Sequence, residues 1–296
     1  MPTVDLDGRA FCVEVDGPVD GAPVLLLSGL GMQLTRWSPR FVDLVAARGL
    51  RVVRMDNRDA GLSWGPDVPP PPIGPLVEAR REGRIPEVPY RLEEMADDAA
   101  GVLAALGIDE AHVAGASMGG MIGQLLAVRH PERVMSLVSI MSTTGADGLP
   151  GPTEAAQAVL NARRPDPVTE RAAFLDVAVA HARVLGSPGF PTPDAVVRAR
   201  MEADLDRAFR PDGVARQYAA IIGSGPRDTR LAGLSLPAMA IHGADDPLIP
   251  PEGGRATAEA IPGAELLEIP GMGHDLPEAL EEMVADAIAR TAARAA

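Results

Sequence analysis

Short apolar runs alternate with stretches whose apolar residues recur at helical spacing, and this alternation covers most of the 296-residue chain. Val4-Asp5-Leu6 and the run from Arg9 to Val15 flank Asp7-Gly8, a hairpin turn signal. Val24-Leu25-Leu26-Leu27 is continuously apolar and stops at glycines, as a strand buried on both faces should. Residues 51–55, 111–114, 134–140, 237–242 and 265–269 predict five further strands. Helices are predicted over 37–47, with Phe41, Leu44 and Val45 on one face, and over 92–106, with Met95, Ala99, Val102, Leu103 and Leu106. A third begins at Met118 and carries Met121, Ile122, Leu125, Leu126 and Val128. The last spans 277–293, with Leu280, Met283, Val284, Ala287 and Ile288 expected inward. Strands alternating with helices imply an α/β fold: a mostly parallel sheet with helices on both faces.

Two stretches break the alternation. Residues 64–91 are rich in proline and charge, from Pro69-Pro70-Pro71-Pro72 to Glu78 through Arg84, and predict a long surface excursion. Residues 143–230 form a larger insertion with helical segments at 170–185, 194–209 and 213–222. In the second of these Val197, Met201, Leu205 and Phe209 repeat every four residues and mark one apolar face. An insertion at this point is expected over the carboxyl ends of the strands, where open α/β sheets bind ligands. The expected division is therefore a core of residues 1–142 and 231–296 with a helical cap over 143–230. Most apolar residues of the cap are expected simply to pack on the core.

The chemistry concentrates at residues 111–124. An apolar run (Ala111, Val113, Ala114) leads into Gly115-Ala116-Ser117-Met118-Gly119, and a helical stretch leads out. That is strand, sharp turn, helix, with a serine at the tip. A nucleophile on such a turn is strained, and a side chain at 115 or 119 would collide with adjacent strands or block approach. The serine oxygen then stands clear of the sheet, and the Met118 amide points at whatever it attacks. Gly-x-Ser-x-Gly alone carries little weight in a chain with 31 glycines. The plain alternative is a serine that only caps the next helix. The motif predicts more, however: an acid and then a histidine should follow in the chain.

Both do. After the strand at 237–242 comes Gly243-Ala244-Asp245-Asp246-Pro247-Leu248-Ile249-Pro250, which places two acids on a loop at a strand's carboxyl end. Asp246 has the better spacing and Asp245 is the second candidate; capping the next turn is the plain alternative for either. Of the histidines, His112, His130, His181, His242 and His274, only His274 follows the acid. It sits in Pro270-Gly271-Met272-Gly273-His274, a loop after the last strand from which a side chain reaches back to Ser117. His242 precedes the acid and is read as packing or support behind the site. In this reading His274 takes the Ser117 proton, Asp246 orients the imidazole, and Ser117 attacks a carbonyl to form an acyl-enzyme. The oxyanion hole takes one amide from Met118. The other comes from Ser28-Gly29-Leu30-Gly31, with Leu30 chosen; a tight strand-to-helix turn would also explain those glycines. Asp56-Asn57-Arg58-Asp59-Ala60-Gly61-Leu62-Ser63 is read as a structural turn, with Asp56 and Arg58 bracing loops behind the site.

Composition narrows the partners. Lys and Arg number 27 against 41 Asp and Glu, a net charge of -14, which repels phosphate backbones and anionic lipid. Nucleic acid and membrane surfaces are thereby excluded as expected partners. The single cysteine, Cys12, forbids an intrachain disulfide and suits a reducing cytoplasm. The N-terminal residues lack the basic-then-apolar pattern of a signal peptide, and no apolar run is long enough to span a bilayer, so a cytoplasmic location is expected.

With these residues in hand, the chain resembles the α/β-hydrolase superfamily over its whole length. Within it, the chain is most similar to the aclacinomycin methylesterase group of polyketide-tailoring serine esterases. The resemblance is carried by Asn57-Arg58-Asp59-Ala60-Gly61, Gly115 to Gly120, Asp246-Pro247 with Pro250, and Ile269-Pro270-Gly271-Met272-Gly273-His274. It implies hydrolysis of a small-molecule substrate, the methyl ester of a bulky aromatic polyketide, with no cofactor and no metal. Two positions depart from the pattern. Asp59 stands where the family's Asp-x-Arg-Gly-x-Gly-x-Ser turn usually has glycine. Ser28 stands where the superfamily commonly has histidine, so the pattern does not by itself name the second oxyanion donor. Ser117 excludes the aspartate-nucleophile relatives, the haloalkane dehalogenases and epoxide hydrolases. Carbon–carbon bond hydrolases of ring-cleavage pathways carry tryptophan directly after the histidine, where this chain has Asp275. A lactonase remains an alternative reading of the same motif, and so does a triad-bearing ligand receptor with negligible turnover. No motif encodes the oligomeric state.

Overall fold

The computed structural model describes residues 2–295. These form an eight-stranded sheet in the order β1-β2-β4-β3-β5-β6-β7-β8. β1 (Thr3–Leu6) and β2 (Arg9–Asp16) make the expected hairpin across Asp7-Gly8, and β2 also runs antiparallel to β4 (Leu50–Met55). Every other pairing, among β3 (Ala22–Leu27), β4, β5 (Ala111–Ala116), β6 (Val134–Ile140), β7 (Ala238–Gly243) and β8 (Glu265–Ile269), is parallel. Helices α1 (Pro39–Ala46), α2 (Ile73–Arg81), α3 (Leu92–Ala105) and α4 (Met118–Arg129) fall among the first six strands. Between β6 and β7 lie α5 (Glu154–Asn161), α6 (Arg171–Leu185), α7 (Asp194–Arg207), α8 (Pro211–Ser224) and the short α9 (Asp228–Leu231). α10 (Glu252–Ala260) and α11 (Glu278–Ala293) complete the chain.

The continuous apolar runs supply both faces of the sheet at once. Successive strand residues point to opposite sides. Leu25 and Leu27 of β3 therefore join α3 and α4 in one buried cluster, while Val24 and Leu26 join α1 and α11 in the other. α1 starts where its sequence allows: Ser38 accepts a hydrogen bond from the Phe41 amide at 2.9 Å, and Pro39 occupies the first helical position. On α11, Met283 is 46% exposed and points outward, contrary to the periodicity, while Glu281 is buried and accepts from the Ser38 hydroxyl at 2.6 Å and Arg40 at 2.8 Å. An amphipathic count cannot anticipate a buried carboxylate that has its own partners. The proline-rich excursion is more structured than its composition predicts. It contains α2, whose Leu76 and Ala79 are buried.

Polar contacts join the insertion to the core alongside apolar ones such as Ala220, which is part of the buried cluster around α3 and α4. α7 buries none of its residues, so its stripe of Val197, Met201 and Leu205 is only partly covered. Phe209, beyond the helix end, meets Phe174 edge-on at 5.9 Å between ring centroids. The turn after β4 supplies the attachment. The buried Asp56 takes Arg207 at 2.8 Å and accepts from the Leu34 and Leu62 amides. Asp59 accepts from Arg216 of α8 at 2.8 and 2.7 Å, and from the Tyr90 hydroxyl at 2.7 Å. Burial and the Asp59 charge push the Tyr90 hydroxyl far above its usual range, so it stays a donor. Arg58 turns the other way, to Asp98 of α3 at 2.5 Å. The turn is structural, as its sequence suggests: Asp56 braces the loop after β3 through the Leu34 amide and, with Asp59, also fastens the insertion, whereas Arg58 holds α3. Asp59 holds a positive φ of 67° that glycine would adopt freely, so its carboxylate is the reason for an aspartate there.

Asp59→Gly keeps the backbone conformation and strands a buried Arg216. Urea unfolding is expected to show a loss of about 3–5 kcal/mol, and a double variant with Arg216→Met is expected to recover part of it.

Candidate active site

The strand order places a crevice at one point. The chain leaves β3 toward β4 on one side, and later elements continue from β5 on the other, so the loops after β3 and β5 diverge from adjacent strands. Leu27 and Gly115 are register partners, which sets the residues that follow them side by side. A Cβ on Gly29 would lie 3.3 Å from the Ser117 Cβ.

Ser117 sits between β5 and α4 at φ 55° and ψ -120°, a conformation L-residues rarely adopt. Its N–H donates to Ile140 O at 2.8 Å, and its carbonyl accepts from the Ser142 hydroxyl at 2.8 Å, so the end of β6 and Ser142, two residues past it, hold the strained turn. The flanking glycines are obligatory. A Cβ on Gly115 would come 2.1 Å from Gly119 O, and one on Gly119 would come 2.1 Å from Leu27 O. Ser117 occupies the N-cap position of α4 without making the side-chain capping bond. Its Oγ lies instead 3.0 Å from His274 Nε2.

His274 and Asp246 arrive from the ends of β8 and β7. His274 Nδ1 is 2.7 Å from Asp246 Oδ2, while Asp246 Oδ1 accepts from the Leu248 and Ile249 amides at 2.9 Å each. Burial pushes the Asp246 carboxyl up. The adjacent His274, with hydrogen bonds from His242, His274 and the Ile249 amide, outweighs burial and holds it at about 2, below its ordinary 3.8. Asp245 does not face the histidine. It is exposed and accepts from the Gly271 amide at 2.7 Å, tying down the loop that carries His274. His242 is fully buried beside the acid, with Nε2 at 2.8 Å from Ile249 O and 3.4 Å from Asp246 Oδ2. The carbonyl requires Nε2 to carry the proton. His112, His130 and His181 lie elsewhere: His112 pairs with Ser136, His130 with Asp97, and His181 is in α6.

Two amides complete the geometry. Among the described residues, neither the Met118 nor the Leu30 N–H has a protein hydrogen-bond partner. The Leu30 loop is held at several points: Asn57 Nδ2 donates to Ser28 O at 2.9 Å, and the Gly31 N–H donates to Gln217 Oε1 at 2.8 Å. Gln33 Nε2 donates to the Asp204 and Ala208 carbonyls of the α7 end at 2.7 and 3.1 Å. Ser28, at the position where histidine is usual, is 2% exposed and directs its hydroxyl to Gln33 O at 3.4 Å.

The insertion also holds the histidine loop. The His274 N–H donates to Leu185 O at 2.7 Å, and the Gly273 N–H donates to Ser187 Oγ at 2.9 Å. Ser187 in turn donates to Asp275, at 2.5 Å, the residue after the histidine. Gln33, Ser142, Ser187 and Gln217 are absent from the sequence reading. Their partners lie far away in the chain, and a buried polar residue off the motif has no local signature. A cavity of about 370 Å³ opens between α2, α4 and α8, lined by Val77, Met121, Ile221 and Ile222 together with the charged Arg80, Arg81, Asp147 and Arg227; neither Ser117 nor His274 lines it. Met121 lies one helical turn beyond Ser117 and donates its amide to Ser117 O at 3.2 Å.

Comparison with known proteins agrees with this architecture. A family model for the alpha/beta hydrolase fold matches residues 22–278. The rhodomycin D methylesterase DauP of Streptomyces sp. (strain C5) is 31% identical, over 97% of each chain. The rhodomycin D methylesterase DnrP of Streptomyces peucetius is 30% identical, also over 97% of each. Among solved structures, the esterase RhEst1 from Rhodococcus sp. ECU1013 superposes with a TM-score of 0.75 at 22% identity, covering 99% of this chain and 98% of its own. The chain belongs to the α/β-hydrolase fold family, and its similarity to curated methylesterases extends over nearly its whole length.

Proposed function

We propose that this protein is a serine hydrolase that cleaves a carboxylic ester through an acyl-enzyme. The observation that carries the reading is the unbroken hydrogen-bonded chain from Ser117 through His274 to Asp246, at 3.0 and 2.7 Å, beside two unpaired amides. His274 Nε2 accepts the Ser117 proton as Oγ attacks the ester carbonyl carbon. The Met118 and Leu30 N–H groups then receive the negative oxygen. His274 returns the proton to the departing alkoxide, which leaves as the alcohol. A water then gives its proton to His274 while its oxygen attacks the acyl carbon, and the free acid departs as Ser117 is reprotonated. Ester and water become acid and alcohol, with nothing left to balance. Asp246 stays ionised throughout, fixing the imidazole tautomer and stabilising the imidazolium.

The substrate we propose is the methyl ester of a bulky aromatic, polyketide-like molecule. The support is the 31% identity to a rhodomycin D methylesterase, over 97% of each chain. Helices α5 to α9 act as a cap over residues 143–230 that shields the reaction from water. Asp275, committed to Ser187, leaves no tryptophan at the position that marks the carbon–carbon bond hydrolases. No helix among the described residues is long and apolar enough to cross a membrane. A cytoplasmic setting remains part of the proposal.

Mass spectrometry of rhodomycin D incubated with the protein tests the substrate, with p-nitrophenyl acetate alongside. Conversion to the free acid is expected with the unaltered chain and a loss of about 10³-fold or more with Ser117→Ala. Cleavage of the small ester alone would overturn the polyketide assignment, and equal rates with Ser117→Ala would overturn the mechanism. Asp246→Asn is expected to lower kcat by about 10²–10⁴-fold near neutral pH. The same carboxyl contributes to stability. Its folded pKa of about 2 lies below the ordinary 3.8, so the contribution is full above about pH 4 and fades as pH falls toward 2. Urea unfolding of the unaltered chain and Asp246→Asn should differ by a constant amount above about pH 4 and converge below it.

A further inference from the structure

We propose that Gln217, on the insertion helix α8, is a positioning residue for the oxyanion hole; the inference rests on the serine-hydrolase reading above. Gln217 is fully buried, and both ends of its amide are engaged. Oε1 accepts from the Gly31 N–H at 2.8 Å, and Nε2 donates to Arg58 O at 2.7 Å. The side chain thus ties the loop after β3 to the turn after β4, from a residue one hundred positions after Ser117.

The loop it holds can switch. The Met32 N–H donates to Gly29 O at 3.1 Å, closing a four-residue turn around Leu30 and Gly31. Gly31 has φ 66° and Leu30 is not at positive φ, which is the type II pattern. The central peptide of a type II turn, between Leu30 and Gly31, finds no partner inside the turn. Glycine accepts either sign of φ, so this peptide is free to flip to the type I arrangement, exchanging the directions of its N–H and C=O. Gln217 breaks that degeneracy. Because Arg58 O fixes which end of the amide is Nε2, the end facing the turn is an acceptor, and an acceptor tolerates only the N–H. The Leu30 N–H belongs to the peptide before the one that flips, so the selected state acts on it by fixing the turn and the Leu30 Cα, where Gly29 packs against Ser117. Gln217 touches no reacting atom; its effect reaches the reaction through the Leu30 donor. α8 also packs on this turn through Val214, whose Cγ2 would lie 2.9 Å from a Cβ at Gly31. An apolar contact of that kind does not distinguish an N–H from a carbonyl.

The test compares Gln217→Met, which keeps the volume and removes both hydrogen bonds, with Val214→Ala, which loosens packing on the same turn. Two readouts are taken on the full chain. One is p-nitrophenyl acetate hydrolysis, resolved into kcat and KM. The other is the rate of Ser117 labelling by a fluorophosphonate, which passes through a charged oxygen in the same hole and needs no turnover. Gln217→Met is expected to lower kcat by about 10–100-fold with KM unchanged, short of the 10²–10³ typical of deleting a donor outright. The labelling rate is expected to fall by a similar factor, while Val214→Ala leaves both readouts within about twofold. Equal losses in the two variants, or a raised KM with kcat intact in Gln217→Met, would overturn the positioning role while Ser117-dependent activity survives. An unaltered chain that neither hydrolyses the ester nor labels at Ser117 would overturn the serine-hydrolase reading, and this inference with it.

Discussion

The backbone at Ser117 is the constraint on which the rest depends. Holding a serine at φ 55° costs on the order of 1–3 kcal/mol. The cost is sustained because β6 takes the Ser117 N–H, Ser142 takes its carbonyl, and β3 packs so closely that position 119 admits no side chain. The same crowding sets the loop after β3 against the serine. Relaxing the turn would therefore move the Ser117 hydroxyl, the Met118 amide and the Leu30 loop together.

Around that turn the core and the insertion meet along a polar seam. Asp56 with Arg207, Asp59 with Arg216, and Gln33 and Gln217 with backbone groups are all largely buried. Apolar burial is non-directional and would allow α7 and α8 many seats on the core. α7 in particular buries no residue that could choose among them. Buried charges and amides are satisfied in one arrangement only, and leaving one unpaired is costly, so they select the seat even where they add little net stability. A second set of contacts, from Leu185 and Ser187 to the histidine loop, makes the insertion a common support for both loops that face Ser117.

The acid end of the site follows the same logic at smaller scale. Asp246 is buried yet strongly acidic because its two oxygens are shared among two backbone amides, His274 and, more distantly, His242. Asp245, its neighbour in sequence, remains exposed and holds the loop turn at Gly271. Two adjacent aspartates thus divide orientation of the imidazole from anchoring of its loop.

By itself, the sequence determined the alternation of strands and helices, both faces of the sheet, the glycine-flanked serine turn, and the order of serine, acid and histidine. These are local properties: side-chain period, backbone freedom at glycine, and position after a strand are all written within a few residues. It also singled out Asp59 as an unusual residue, without the reason for it. Only the tertiary structure chose Asp246 over Asp245, turned Met283 outward, organised the proline-rich excursion around α2, and brought Gln33, Ser187 and Gln217 to the loops beside Ser117. Each of those outcomes depends on which polar groups meet after distant segments pack. A buried hydrogen bond between residues 31 and 217 leaves no trace in the periodicity of either segment.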